Sequence, residues 1–247
     1  MSSSDVNDYD SSKELTISQF SPNITPEQHA TLGIRLHESG ELRQSAYHLR
    51  KAAHGSDATG MILYGLALRH GWGVRQNTTE AFMWLNAAAI RLAADKEGVS
   101  NHPVNFVIGF DPEDGRNRCE GLNKERKAQL GLAMYELGMS YLNSWGVEKN
   151  ECMAMTCFDL GSRLGDPDAM YELAGLWCRN GPGRKRDLHK ASALYREAAV
   201  RGVSTVGNSW IYKEKYLRSK DEDHSQCADH ATTKKRRPFF SSRRKPS

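Results

Sequence analysis

The chain of 247 residues contains 38% hydrophobic and 9% aromatic residues, enough for one array of helix hairpins or two small globular domains. It has no run of about 18 apolar residues, so we predict no transmembrane segment. The polar stretch Met1–Asp5 has neither the basic start nor the apolar core of a secretory signal, and we therefore expect a protein of the cytoplasm, the nucleus or both.

The net charge of +4 combines two regions of different charge. Residues 228–247 contain seven basic residues and one acidic residue, which leaves 27 basic and 29 acidic residues in the rest of the chain. The body of the protein is therefore slightly acidic. A nucleic-acid-binding surface on this body is not expected.

Residues 1–25 are rich in Ser, Asp and Asn and hold few apolar side chains, so we predict a disordered tail. A helix is predicted to begin directly after this tail. Thr25 can cap it, Pro26 suits its first position, and Gln28 can complete a capping box. The folded part is predicted to run from residue 26 to residue 217.

A pattern of apolar residues and glycines recurs every 37 residues between Leu130 and Gly202. Each repeat contains two segments with the i, i+3, i+4, i+7 spacing of a one-faced helix. Two such faces are buried only when one helix pair stacks on the next, so we predict an all-α, right-handed α-solenoid of antiparallel helix hairpins. Two further repeats precede these, and the turn of the first, Glu38–Glu41, is shortened by three residues.

One glycine recurs in the first helix of each predicted hairpin. Glycine inside a helix costs about 1 kcal/mol relative to alanine, so its recurrence predicts a close approach between two helices. The four positions are Gly33, Gly65, Gly138 and Gly175.

The second and third predicted hairpins are separated by twice the repeat period, and residues 95–127 fill the gap. The centre of this segment has Pro103 and Pro112 on either side of the apolar stretch Phe106–Ile108, without a helical stripe. Two alternatives remain: a loop that folds back on the array as a lid or a contact, or a degenerate hairpin.

Several short motifs resemble the Sel1-like repeat, a relative of the tetratricopeptide repeat with a longer turn. They are Leu63–Gly65, Gly71–Val74, Glu80–Ala81 and Trp84–Leu85 in one repeat and the segment from Leu137 to Gly165 in the next. The last repeat has Arg184 where the family has valine. The resemblance implies an adaptor scaffold without a common set of catalytic residues.

The segment Val206–Tyr216, directly after the last repeat, resembles the closing segment of a fungal Sel1-like group. That group includes the fission-yeast mitosis inhibitor acting on a cell-cycle kinase. The resemblance implies a regulatory protein in signalling or the cell cycle, with a protein kinase among its candidate partners. From the residues alone, Trp210, Ile211 and Tyr212 are predicted to cover the apolar face of the last hairpin.

Residues 218–247 become polar and then basic, and we predict a second disordered tail. The candidate nuclear-import residues within it are Lys234, Lys235, Arg236 and Arg237. The same charges provide the alternative function, binding of nucleic acid or of an anionic membrane surface.

Catalytic chemistry is not predicted. The five cysteines lack ligand or disulfide spacing and are interpreted as reduced thiols, with Cys157 on an apolar helix stripe. The nine histidines are scattered and belong to no metal or hydrolase motif. We therefore predict no enzyme activity, no cofactor, no metal and no small-molecule substrate.

The predicted partner is another protein, held by the first helices along the concave surface of the solenoid. Met134, Leu137, Gly138 and Tyr141 are predicted to point into the core. The side chains left to face outward are the candidate partner contacts, Glu136, Ser140 and Asn143 in the third hairpin and Glu172 and Arg179 in the fourth.

Overall fold

The computed structural model describes residues 24–93 and 121–217. The chain forms two compact bodies, the first ending at Met170 and the second beginning at Tyr171. The predicted tails, apart from Ile24 and Thr25, and residues 94–120 of the insertion lie outside the described residues.

Helices account for the regular structure of the described residues, apart from one isolated β-bridge. The first body contains α1 (Pro26–Glu38), α2 (Leu42–His54), α3 (Ala58–His70), α4 (Thr78–Ala93), α5 (Lys124–Asn143), α6 (Glu151–Leu164) and the start of α7 (Pro167–Trp177). The second body contains the rest of α7, α8 (Leu188–Val200) and two 3-10 turns, Ser209–Tyr212 and Glu214–Tyr216. These elements confirm the all-α fold of helix hairpins.

The helices begin where short polar side chains can cap them. The predicted capping box is present: the Gln28 backbone N–H donates to the Thr25 hydroxyl (3.3 Å), and the Thr25 N–H donates to the Gln28 side chain (2.9 Å). The Asp57 carboxylate accepts from the Gly60 N–H at the start of α3 (2.7 Å), as its sequence position predicts. Asn123, Asn150 and Asp187 cap α5, α6 and α8 in the same way.

The first body is a stack of three hairpins, each with a first and a second helix. α1 packs on α2, α3 on α4, and α5 on α6, while α2 contacts α3 and α4 contacts α5. The four residues predicted to point inward from α5 are buried, which confirms the apolar stripe. Each hairpin therefore covers the apolar face of the next.

The recurring glycine lies where the two helices of a hairpin meet. A Cβ atom on Gly138 would come within 2.5 Å of the Phe158 ring, and one on Gly33 within 2.7 Å of the Leu49 side chain. A side chain at either position would clash with this residue of the second helix, which would have to move. The predicted close approach is thus confirmed in the first body.

These contacts also correct the predicted register of the first hairpin. Gly138 meets the residue 20 positions later, Phe158, whereas Gly33 meets the residue 16 positions later, Leu49. The first hairpin is therefore shortened by four residues rather than three. Ser45 occupies the buried position that alanine takes elsewhere, and its hydroxyl donates to the Gly33 carbonyl (2.7 Å).

A second glycine contact joins successive hairpins. Gly73 and Gly146, in the turns of the second and third hairpins, have φ angles of 70° and 77°. A Cβ on either would lie 2.0 Å from a carbonyl oxygen at the start of the preceding hairpin's second helix, that of Leu42 or Thr78. The turn backbone of each hairpin therefore packs directly against the preceding hairpin.

In the second body, the segment after α8 closes the apolar surface of the last hairpin. Ile211 is buried in one cluster with Ala174 and Tyr195, and Trp210 packs against this cluster. The Arg196 guanidinium donates to the Ile211 carbonyl (2.8 Å) and holds the segment in place. The capping prediction is confirmed for Trp210 and Ile211 but not for Tyr212, which is 56% exposed.

Candidate protein-binding surface

One apolar residue in each first helix of the first body lies at the edge of the core. Ile34 in α1 is 36% exposed, and Leu66 in α3 and Met139 in α5 are half-buried. Each directly follows the glycine that meets the second helix, so it lies about 100° around its own helix from that contact. Because α1 contacts α3 and α3 contacts α5, the three side chains occupy equal positions on neighbouring helices. We call Ile34, Leu66 and Met139 the apolar row.

The sequence pattern did not identify this row. Helical spacing predicts the apolar stripe of each helix, but a sequence does not show where the covering helix ends. The available signal was the recurrence of a large apolar residue directly after the helical glycine.

Two of the predicted partner contacts are buried instead. Glu136 is 7% exposed and Ser140 is 1% exposed, so the expectation that they face outward is wrong. The Ser140 hydroxyl donates to the Glu136 carbonyl within α5 (2.9 Å). The reason lies in the stacking: α5 is covered by α6 of its own hairpin and also by α3 and α4 of the preceding one. A stacked helix buries a wider sector than a single apolar stripe.

Glu136 forms a buried ion pair with Arg69 of the preceding hairpin. Arg69 Nη2 and Glu136 Oε2 are 2.5 Å apart, and both side chains are less than a tenth exposed. The guanidinium also lies over the Trp145 ring, 4.8 Å from its centroid. This pair joins α3 to α5 and is a stacking contact rather than a surface contact.

Burial of this ion pair costs both charges their hydration free energy. Burial raises the pKa of the Glu136 carboxyl, while the nearby Arg69 charge lowers it and the Asp168 charge raises it. Arg69 Nη1 is buried without a hydrogen-bond partner among the described residues. Each charge therefore depends on the other to offset its loss of hydration.

The other predicted contacts have different surroundings. Asn143 is exposed at the end of α5, where its amide donates to the Met139 carbonyl (2.9 Å). Glu172 is half-buried and Arg179 is exposed, both in the second body. A role of these three residues in partner binding stays a prediction.

The helices on either side of the insertion are neighbours. α4 packs directly on α5, and the Arg126 guanidinium donates to the Leu92 carbonyl near the end of α4 (2.9 Å). The insertion is predicted to extend to about residue 127, and α5 begins at Lys124. Whether the rest is a lid, a contact or a degenerate hairpin stays open, because residues 94–120 lie outside the described residues.

The described residues also include thiols and possible metal-ligating side chains. Within the described residues, 24–93 and 121–217, no group of three or more His, Cys, Asp or Glu side chains is arranged to hold a metal ion. Cys152, Cys157 and Cys178 are free thiols, and burial raises the pKa of Cys157 to about 12. Cys119 and Cys227, like the import candidates Lys234 to Arg237, lie outside the described residues. No helix in this part of the chain is long and apolar enough to cross a membrane.

The stacked hairpins match a known repeat. The family model described as the Sel1 repeat matches residues 58–91, 131–166 and 167–202. These ranges correspond to α3 with α4, α5 with α6, and α7 with α8. The chain therefore contains Sel1 repeats, which typically serve protein–protein interaction.

Two fungal proteins share most of this chain. Protein DSF2 of Saccharomyces cerevisiae is 34% identical over 193 residues, which are 77% of this chain and 25% of that protein. Mitosis inhibitor nif1 of Schizosaccharomyces pombe is 29% identical over 194 residues, 78% of this chain and 28% of that protein. The chain thus spans about a quarter of the length of these relatives.

Two solved structures are also similar. A Sel1 repeat protein from Oxalobacter formigenes is 23% identical with a TM-score of 0.43, over 65% of this chain and 92% of that one. The Escherichia coli protective antigen c5321 is 17% identical with a TM-score of 0.31, over 83% of this chain and 52% of that one.

Proposed function

We propose that the protein is a non-catalytic adaptor that binds another protein through the first helices of its stacked hairpins. The observation that carries this proposal is the apolar row, in which Ile34, Leu66 and Met139 keep part of their surface in solvent. Stacked helices present equivalent side chains at a spacing of about 8–10 Å. A helical or extended segment of a partner can place its own apolar side chains along such a row.

A polar group beside the row would help to set the orientation of the partner. Asn143 is exposed one turn after Met139, and its side-chain carbonyl can accept a hydrogen bond from a partner. Glu172 and Arg179 offer charged contacts in the second body. Glu136 and Ser140 are not part of the proposed surface, because burial removes them from reach.

We further propose that the partner belongs to cell-cycle regulation and that a protein kinase is the first candidate. Support comes from nif1, whose name describes a mitosis inhibitor and which aligns with 78% of this chain. Nif1 and DSF2 each align with more than three quarters of this chain, so a partner site on the repeats could be common to the three proteins. The proposed location is the cytoplasm, the nucleus or both.

The proposal is tested by adding charge to the row of the full-length protein. The double variant Ile34→Lys/Met139→Lys should reduce specific partner capture at least about tenfold, because two desolvated contacts are replaced by charges. Met83→Lys is the matched control, since Met83 is 56% exposed but lies on the second helix α4. Quantitative mass spectrometry of affinity-purified fungal extracts and kinase assays of the eluates give the readout.

A partner set that survives in the double variant, with unchanged melting temperature, would rule out the apolar row as the binding surface. Loss in both the double variant and Met83→Lys would indicate a general folding defect instead. Kinase activity missing from the wild-type eluate would remove the kinase part of the proposal.

The second candidate function is binding of nucleic acid or an anionic membrane surface through the basic tail. The segregation of charge favours it, since seven basic residues are concentrated in residues 228–247. Binding through this tail should weaken steeply between low and moderate salt, whereas binding on the apolar row should change little. Replacement of Lys234, Lys235, Arg236 and Arg237 by Ala should abolish the salt-sensitive binding and should also shift the protein toward the cytoplasm if these residues direct nuclear import.

A further inference from the structure

The turn between α7 and α8 in the second body carries a concentrated positive charge. We call residues 179–190 the basic turn. It contains one acidic residue, Asp187, and five basic residues, Arg179, Arg184, Lys185, Arg186 and Lys190. All of the basic residues except Arg184 are exposed.

The repeat scaffold does not require this charge. The corresponding residues of the second hairpin, 69–80, include two basic residues and one acidic residue, Arg69, Arg75 and Glu80. In the third hairpin, residues 142–153 include one basic residue, Lys149, and two acidic residues, Glu148 and Glu151. Three turns of the same repeat thus have different charges, and only the last is strongly basic.

Backbone hydrogen bonds hold the basic turn in a defined shape. Gly181 and Arg184 exchange two N–H···O bonds, both 3.0 Å. The Asp187 N–H donates to the Trp177 carbonyl (2.9 Å), and the Arg186 N–H donates to the Asn180 side chain (3.0 Å). The exposed cations therefore project from a preorganised loop, which lowers the entropy cost of binding.

Two of the cations have a structural role on the Trp177 ring. Lys190 Nζ lies 4.0 Å from the ring centroid, and the Arg184 guanidinium carbon lies 5.2 Å from it. Arg184 also donates to the Leu176 and Arg179 carbonyls. These contacts explain Arg184, which replaces the valine of the family pattern.

Lys185 and Arg186 have no such explanation. Both side chains are exposed, and neither forms an ion pair with an acidic residue of the described chain. Two adjacent cations next to Arg184 repel one another and bring no stability to the turn. Their charge is left for an external anion.

We propose that the basic turn docks an acidic segment, rich in Asp and Glu, of a partner protein. The charge of the turn is complementary to such a segment, and carboxylates accept from Lys and Arg side chains. Single-stranded nucleic acid is disfavoured because its binding uses exposed aromatic rings for base stacking, and the Trp177 ring is covered by Lys190 and Arg184. The inference rests on the adaptor function but uses a surface separate from the apolar row.

The test measures fluorescence anisotropy of a labelled peptide of alternating Asp and Glu on the full-length chain. The basic residues of the tail at 234–237 and 243–245 are changed to Ala in all samples, so that they do not bind the probe. Lys185→Glu/Arg186→Glu should weaken peptide binding about tenfold, since each reversal replaces an attraction by a repulsion. The matched control Arg75→Glu/Lys149→Glu makes the same charge change in the other two turns and should leave binding unchanged.

Three results would overturn the proposal. The first is equal weakening in the two double variants, which would indicate net charge rather than the basic turn. The second is that a single-stranded RNA of the same charge binds more tightly than the peptide and that Lys185→Glu/Arg186→Glu abolishes this binding. The third is a tenfold gain in peptide affinity when Asp221, Glu222 and Asp223 are neutralised, because the chain's own acidic segment would then be the occupant.

The peptide-binding test and the partner-capture test of the adaptor proposal can fail independently. Ile34→Lys/Met139→Lys should still bind the acidic peptide, since the apolar row and the basic turn are different surfaces. If that variant retains its partners while Lys185→Glu/Arg186→Glu loses the peptide, the apolar row fails and the basic turn stands. The reverse pattern leaves the row and removes the turn.

Discussion

The third and last hairpins share one sequence pattern but use it differently. In the first body, a Cβ on Gly138 would lie 2.5 Å from the Phe158 ring, whereas in the second body a Cβ on Gly175 would lie 3.5 Å from the Tyr195 hydroxyl oxygen. The first distance is a clash and the second is an ordinary contact. The recurring glycine thus marks a repeat position, and only the neighbouring side chain decides whether glycine is required there.

The turns differ in the same way. Gly146 lies against the Thr78 carbonyl of the preceding hairpin, whereas a Cβ on Gly183 would meet nothing within 4 Å. Both glycines have positive φ, so both suit the backbone of the turn. Gly146 also packs against the preceding hairpin. Gly183 has no such contact, and it lies in the basic turn.

The position of Glu136 gives a third contrast. In the last hairpin the corresponding residue is Leu173, which is 1% exposed. One repeat position therefore holds a buried ion pair in the first body and a buried apolar side chain in the second. The repeat requires a buried side chain at this position. The residue that packs against it determines whether that side chain can carry a charge.

The largest expected effect follows from the Glu136 pair. Glu136→Lys places a second cation against Arg69, and we expect a loss of about 3–5 kcal/mol in the free energy of unfolding. Glu172→Lys, at a half-buried site, should cost about 1 kcal/mol or less. Denaturant unfolding of both variants measures the difference.

Equal losses in these two variants would show that the Arg69–Glu136 pair has no special role. A double variant, Arg69→Leu/Glu136→Leu, sharpens the comparison. It should recover most of the stability, because apolar residues can replace a buried ion pair, as Leu173 does in the last hairpin.

A smaller effect is expected at the helical glycines. Gly138→Ala should destabilise the protein by about 1–3 kcal/mol, because the Phe158 ring must move. Gly175→Ala should be neutral or stabilise by up to about 1 kcal/mol, since alanine favours the helix and has room. The melting temperature should therefore fall for Gly138→Ala and should stay level or rise for Gly175→Ala. An equal fall in both variants would contradict the contrast between the bodies.

The smallest effect concerns pH and the first hairpin. His29 and His48 have Nδ1 atoms 2.9 Å apart. Burial lowers the pKa of both imidazoles; the Lys51 charge lowers that of His29 further, and His29 does the same for His48. Because the folded state binds these protons less readily than the unfolded state, their stabilisation is complete above about pH 6.5 and is lost as the pH falls below it.

The measurement is the free energy of unfolding on both sides of pH 6.5, for wild type and for His29→Gln/His48→Gln. The double variant should show a flatter profile. Asp57 and Glu136 have raised pKa values and act in the opposite direction, so the difference between the two proteins is the quantity to compare. Identical profiles would show that the pair does not titrate. The last hairpin has Tyr171 and Leu194 at the corresponding positions and offers no equivalent pair.

The sequence by itself determined the helix hairpins, their caps and the residues that enter the core. Apolar spacing and capping are local properties: the Thr25 capping box and the buried Leu137 depend on residues within one or two turns. The close approach at Gly138 was also predictable, because a repeated cost in helix propensity indicates a repeated use.

Only the tertiary structure decided which polar side chains remain exposed. Glu136 and Arg69 are 67 residues apart in the chain and meet because α3 contacts α5 across the insertion. Helical periodicity describes one face of one helix, whereas stacking adds a second covering surface from the preceding hairpin. The same reason explains the apolar row: Met139 is apolar like the core residues beside it, and its partial exposure depends on where the neighbouring helices end.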